Sequence, residues 1–261
     1  MTDRRQRQKE QRAAKRQASK KREQRRELGR RITTALIFGV VVIGFVVLTN
    51  LAGGETELPG GYERFRGQET ACGADQPPSE TVESFEAPVR QSDLVAGVTV
   101  TATLVTSCGE IVIELDHEGF PETVNSFVFL AREGFYGGQV FHRIAADFVV
   151  QGGDPNANGS GGPGYVIADE HPDGEFVYER GVVAMANRGA RSTGSQFFVV
   201  IGDNGRFFTN SFNVLGTVVS GDDTLSRIAA IPTDLQPGSA EESLPLEAVY
   251  IESVTIDVSG S

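Results

Sequence analysis

Lysine is absent after residue 21, and the ten basic residues beyond position 31 are all arginine. Thirty-one acidic residues share that stretch, so residues 32–261 carry a balance of −21 against +10 for residues 1–31. A body this acidic repels phosphate, which argues against nucleic acid as a partner of the folded domain; its charge serves solubility instead. Cysteine is reduced to Cys72 and Cys108, too few for a scaffold held mainly by disulfides. The three histidines, His117, His142 and His171, have no metal-ligand spacing with cysteine, so neither a metal nor a cofactor is expected. No nucleophile-elbow pattern accompanies His142, Asp154 and Ser195, which removes the case for a hydrolase triad. The loop GGDPNANGSGGPG lacks the glutamate that closes a calcium loop and reads as turns. No internal repeat is present.

Charge is missing altogether from residues 32–51, ITTALIFGVVVIGFVVLTNL. As a helix, twenty residues at about 1.5 Å each would span about 30 Å, the thickness of a bilayer core. The run is long for a signal peptide, and Asn50-Leu51-Ala52 fits a cleavage site poorly. Residues 1–31 are too polar to fold alone. With that basic run in front, the positive-inside rule places the N-terminus in the cytoplasm. The expectation is a single-pass cell-membrane protein: a basic cytoplasmic tail (1–31), a transmembrane anchor (32–51), an extracytoplasmic linker (52–96) with some order near its end, and a folded domain (97–261). The tail has anionic lipid, ribosomal RNA and the export machinery as candidate partners. In an oxidising compartment the two cysteines fit one bond, Cys72–Cys108; two free thiols or a bond between chains are the alternatives.

Within 97–261, glycine and short apolar runs dominate. Val98, Val100, Ala102 and Leu104 alternate with neighbours, turn at Ser107-Cys108-Gly109, and resume at Ile111, Ile113 and Leu115, which predicts a hairpin. Pro121 opens a helical pattern with Val124, Phe127, Val128 and Ala131 on one face and Gly134 as the stop. Apolar runs follow at 139–144, 147–151, 181–186, 196–201 and 212–219, then a short helix over 222–230 and a last strand over 248–258. Many short strands with two helices predict a mainly β fold, a closed barrel capped by helices.

Two stretches are distinctive: Phe141-His142-Arg143-Ile144 with Phe148-Val149-Val150-Gln151-Gly152-Gly153-Asp154, and Met185-Ala186-Asn187 with Gly194-Ser195-Gln196-Phe197-Phe198. With Thr123-Val124-Asn125-Ser126-Phe127 upstream and Leu215-Gly216-Thr217-Val218 downstream, their order and spacing resemble the cyclophilin family over roughly residues 97–258. The resemblance implies a closed eight-stranded antiparallel barrel with two helices, and peptidyl-prolyl cis-trans isomerase activity without a cofactor. It implies Arg143 as the catalytic residue and an apolar slot for proline lined by Phe148, Val149, Phe198 and Phe208. Gln151 would hold the substrate backbone and help position Arg143. Ala186 and Asn187 would form a small wall with backbone hydrogen bonds, and Gln196 would border the groove. Phe207 stands where many members have tryptophan, and Phe212 where many have histidine and others tyrosine. Phe207 keeps a flat wall but loses the indole donor, so weak cyclosporin binding is expected. The partners implied are proline-containing unfolded or exported polypeptides, met by a monomer. A module that binds proline peptides without turnover is the alternative function.

Overall fold

Valine and threonine alternate through the first strand, and β-branched side chains favour a pleated, half-buried surface. β1 (Val98–Thr106) buries Val100, Ala102 and Leu104 on one face; β2 (Gly109–Leu115) does the same with Ile111, Ile113 and Leu115. Their antiparallel register sets Ala102 opposite Ile113 and Leu104 opposite Ile111. The hairpin expected from the sequence is present with the turn in its expected place. The computed structural model describes residues 61–78, 83–174, 176–203, 208–236 and 239–260.

Eight strands share one sheet: β1, β2, β3 (Arg143–Ala145), β4 (Val149–Gly152), β5 (Val182–Met185), β6 (Phe197–Val200), β7 (Val214–Ser220) and β10 (Ile251–Gly260). Their order is β10-β1-β2-β7-β5-β6-β4-β3, every pairing antiparallel. The closed barrel of the sequence reading is therefore corrected to a curled, open sheet with β10 and β3 at its edges. Among the described residues no ladder joins the two edges, and the bridge of Val140 to Tyr250 spans the seam. The reason lies at the β3 edge. β3 is only three residues long, and β9 (Glu242–Pro245), paired with β8 (Thr233–Leu235), lies alongside it. Phe65, Val140, Ala248 and Tyr250 fill the seam with apolar side chains instead.

The segment read as a linker carries structure of its own. Helix α1 (Gly61–Arg66) buries Phe65, and Thr70 bridges to Ala248. A disulfide joins Cys72 to Cys108, 36 residues apart, at the β1–β2 turn. Farther along, Phe85 meets Phe129 edge-on at 5.1 Å, and Arg132 forks onto Asp93 at 2.6 and 2.9 Å. This explains a difference in helix α2 (Pro121–Arg132). It buries every residue from Thr123 to Ala131 rather than a single face, because residues 85–93 cover its outer side. Its first turn is capped from afar: Glu170 accepts the amides of Glu122 and Thr123 at 3.0 and 2.6 Å, satisfying donors that have no partner inside the helix. Helix α3 (Asp222–Ala229) buries Leu225 and Ile228, and its Arg227 donates to the Cys108 carbonyl at 3.0 Å.

Among the described residues no helix is long and apolar enough to cross a membrane. The longest, α2, has twelve residues, about 18 Å against the roughly 30 Å required. The expectation of a single-pass cell-membrane protein, with cytoplasmic N-terminus and extracytoplasmic catalytic domain, is corrected accordingly. Residues 1–31 and 32–51, on which that expectation fell, lie outside the described residues.

Strands β2, β5 and β7 touch where Gly216 faces Leu115 and Val183. A Cβ at Gly216 would stand 2.0 Å from the Glu114 carbonyl oxygen, a backbone atom that cannot step aside. Gly216→Ala is expected to cost about 1–3 kcal/mol through forced separation of the strands. A thermal melt checks this: the midpoint should fall by several degrees, and an unchanged one refutes so close a packing.

Candidate active site

Antiparallel pairing sets residues that face each other on the same side of a sheet. Arg143 pairs with Gln151, Gln151 with Phe198, and Phe198 with Ala184, so four strands present one row. Two positions along, Ala145, Val149 and Val200 form the next row on that face. The opposite face carries Ile144, Val150, Val183 and Val199 into the main core. The first face holds a second apolar cluster: Val149, Ala184, Phe198 and Val200 at its base, with Phe148, Ala186, Phe208 and Phe212 packed on it. Both faces are buried, which is why these strands read as continuous apolar runs.

The aromatic rings touch one another. Phe148 stacks on Phe208 with centroids 4.9 Å apart; Phe198 lies 5.2 Å from Phe208 and 5.4 Å from Phe212. At such distances the rings pack against one another as an aromatic floor, with Phe212 edge-on to Phe198 and Phe208. Phe148, Phe208 and Phe212 are half-buried, whereas Val149 and Phe198 are buried. Phe212 is held by Tyr178, whose hydroxyl donates to the Phe212 carbonyl at 2.7 Å.

Arg143 stands at the edge of this floor, its guanidinium carbon 5.6 Å from the Phe148 ring centroid, within cation–π range. Nη1 donates to Gln151 Oε1 at 3.2 Å. Gln151 Nε2 donates to Gln196 Oε1 at 3.1 Å, and Gln196 Nε2 to the Gly161 carbonyl at 2.9 Å. The amide chain thus ends on the main chain of the 154–161 loop. That loop is organised by Asp154, fully buried, whose carboxylate accepts the amides of Asn156, Asn158, Gly159 and Gly161. Ser195 Oγ donates to the Gly153 carbonyl at 2.7 Å. Asn187 Nδ2 donates to the Ser211 carbonyl at 2.7 Å, tying two rim loops, and the Ala186 amide donates to the Gln196 carbonyl at 2.8 Å. The structure thus brings together Arg143, Phe148, Val149, Gln151, Gln196, Phe198, Phe208 and Phe212, with Ala186 and Asn187 on the rim. Phe207 lies outside the described residues.

The sequence reading missed Glu241. Its carboxylate grips Arg143 with both oxygens, Oε1 to Nη2 at 2.6 Å and Oε2 to Nε at 2.8 Å. Burial pushes this carboxyl up, but hydrogen bonds and charge from Arg143, helped by Ser243, outweigh it and hold Glu241 below its ordinary range. Ninety-eight residues separate the two, and no periodicity in 233–245 announces a strand. Tyr178 was missed for a similar reason, since only its neighbours in space reveal its role.

Beside Arg143, His142 is buried with Nδ1 unpartnered among the described residues. Burial drives its pKa down to about 4; Asp154 pulls it up and Arg143 adds to the lowering. An unfolded histidine titrates near 6.5, so between these values the unfolded chain binds the extra proton and stability falls as pH falls. The loss should reach at most about 1.4 kcal/mol per pH unit. Urea unfolding at pH 7, 6 and 5 measures it, and His142→Gln should flatten the slope over that window.

Comparison with known proteins fits this arrangement. The profile of the family described as cyclophilin type peptidyl-prolyl cis-trans isomerase/CLD matches residues 101–256. A probable peptidyl-prolyl cis-trans isomerase B of Mycobacterium tuberculosis is 37% identical over 173 residues, 60% of this chain and 54% of that protein. The chain therefore spans about half the length of that relative. Peptidyl-prolyl cis-trans isomerase B of Streptomyces anulatus is 38% identical over 174 residues, 60% of this chain and 95% of that one. Among solved structures, a cyclophilin type peptidyl-prolyl cis-trans isomerase of Cryptosporidium parvum matches with TM-score 0.55 and 26% identity, over 61% of this chain and 98% of its own. The same protein was also solved in the presence of the dipeptide Ala-Pro. With the family profile covering well over half of its length, this chain belongs to the cyclophilin-type peptidyl-prolyl cis-trans isomerases.

Proposed function

We propose that the domain formed by residues 97–261 speeds cis-trans exchange of X–Pro bonds in unfolded or newly exported polypeptides, without a cofactor. Resonance gives the peptide C–N bond a rotation barrier of about 18–20 kcal/mol, and X–Pro exchange takes tens to hundreds of seconds unaided. Catalysis needs no covalent step; it needs tighter binding of the twisted amide than of either planar form. Twisting breaks conjugation and returns a lone pair to the proline nitrogen. A fixed cationic donor aimed at that lone pair stabilises the twisted state selectively, and Arg143 carries N–H groups in a rigid, permanently charged plane. The proline ring rests against Phe148, Phe198 and Phe208. Gln151 holds the peptide backbone beside Arg143. Because the Ala186 amide is spent on the Gln196 carbonyl, the backbone of Asn187 meets the extended peptide.

The observation that carries this reading is the juxtaposition of the Arg143 guanidinium with the aromatic floor, 5.6 Å from the Phe148 centroid. The test is isomerisation of a proline tetrapeptide by the full chain, followed against the uncatalysed rate. Acceleration at catalytic enzyme concentration is expected; a rate equal to the blank, with peptide still bound, would establish a binding module instead.

A further inference from the structure

We infer that Glu241 is the positioning residue of Arg143, fixing the plane in which its guanidinium meets the substrate amide; this rests on the isomerase reading above. A free arginine side chain samples many rotamers. One neutral contact, Gln151 Oε1 at 3.2 Å, is a weak restraint for a group that must present a donor in one direction. The carboxylate of Glu241 supplies the rest. It takes the Nε–Nη2 edge of the fork at 2.8 and 2.6 Å, in the parallel two-bond geometry that fixes both position and tilt.

Counting donors shows what is left. A guanidinium has five N–H groups. Glu241 takes those of Nε and one of Nη2, and Gln151 takes one of Nη1. Among the described residues one hydrogen on each of the two terminal nitrogens therefore remains, that of Nη2 at the far end of the fork. The carboxylate thus leaves that end free while it holds the flank.

Glu241 is itself held. Ser243 Oγ donates to Oε2 at 2.7 Å, the Glu241 amide donates to Ser239 Oγ at 3.1 Å, and the Glu241 carbonyl accepts the Gln236 amide at 2.9 Å. The restraint runs from the β8–β9 hairpin through Glu241 into the arginine. The pair is well shielded, with side-chain exposures of 18% for Arg143 and 24% for Glu241, so water competes poorly for it.

Steady-state isomerase kinetics of the full chain, with melting curves, are measured for wild type, Glu241→Gln, Glu241→Ala and Ser243→Ala. The same Glu241→Ala change is also made in an Arg143→Ala background. Glu241→Gln and Glu241→Ala should lower kcat by about tenfold, the scale of a small misplacement of a reacting group, with KM within about twofold. Ser243→Ala should lower kcat less. In the Arg143→Ala background, Glu241→Ala should change kcat/KM by less than about twofold, because the effect passes through the arginine. Wild-type kcat in a folded Glu241→Gln variant overturns the inference, as does a faster variant or an equal loss in the Arg143→Ala background. Should Glu241→Ala not fold, the Glu241→Gln and Ser243→Ala rates decide. An active wild type with an inactive Arg143→Ala and a normal Glu241→Gln removes only this inference; an inactive wild type removes the isomerase reading itself.

Discussion

Arg143→Ala should lower kcat/KM by about 10²–10³-fold, the usual consequence of deleting one preorganised transition-state donor. Most of the loss should fall on kcat, because the donor acts on a lone pair that exists only in the twisted amide. Arg143→Lys should rescue little. An ammonium has three donors and cannot engage both oxygens of Glu241 and the Gln151 carbonyl with one left for the substrate. The fold should tolerate the change, since the aromatic floor and the main core keep their packing. Peptide isomerisation kinetics and a melting curve on the same preparation make the check. A folded Arg143→Ala variant with near wild-type kcat would place the catalytic power elsewhere.

Reduction of Cys72–Cys108 should produce the largest change in stability. The bond closes a loop across 36 residues, and the chain-entropy relation gives about 4 kcal/mol for a loop of that size. For a domain of this size that corresponds to a fall of about 10 °C in melting temperature. What the bond retains is the strap from 61 to 78. Phe65 closes the seam beside Tyr250, Tyr62 donates to the Gly138 carbonyl at 2.9 Å, and Gln76 donates to the Tyr250 hydroxyl at 2.8 Å. Thermal melts with and without reductant, and of a Cys72→Ser/Cys108→Ser variant, measure the shift. Limited proteolysis should then cut within 61–78 first. A melting point indifferent to reductant would show that the strap holds by packing alone.

How much of this was legible depends on where each signal lies along the chain. Alternation in 98–115 and the helical spacing after Pro121 are local, and the elements they predict are present. The runs at 147–151, 181–186 and 196–201 gave β4, β5 and β6 within a residue or two. Their apolar character on both faces records the second cluster under the site. What failed was non-local. An open seam instead of a closed barrel follows from a three-residue β3 and a neighbouring hairpin whose two strands have polar, unpatterned sequences. The burial of α2 on every side follows from residues 85–93 folding back over it, which no spacing within the helix can disclose. Of the site, Arg143, Gln151 and Phe198 are recognisable as a motif, and the register then aligns them. Glu241 is not, because a lone glutamate in a polar turn carries no pattern; its partner is fixed only once the hairpin lies beside β3.

The floor beneath the substrate is built from phenyl rings that offer no hydroxyl, amine or carboxylate of their own. Capture of a pyrrolidine there exchanges hydrated hydrocarbon for buried hydrocarbon and little else. Its thermodynamic mark is a negative heat-capacity change, with affinity that responds to temperature far more than to salt. Grip and turnover are thereby divided between different kinds of atom. On the proposed reading, the carbon surface would set how long a proline stays, and the guanidinium how fast its bond turns.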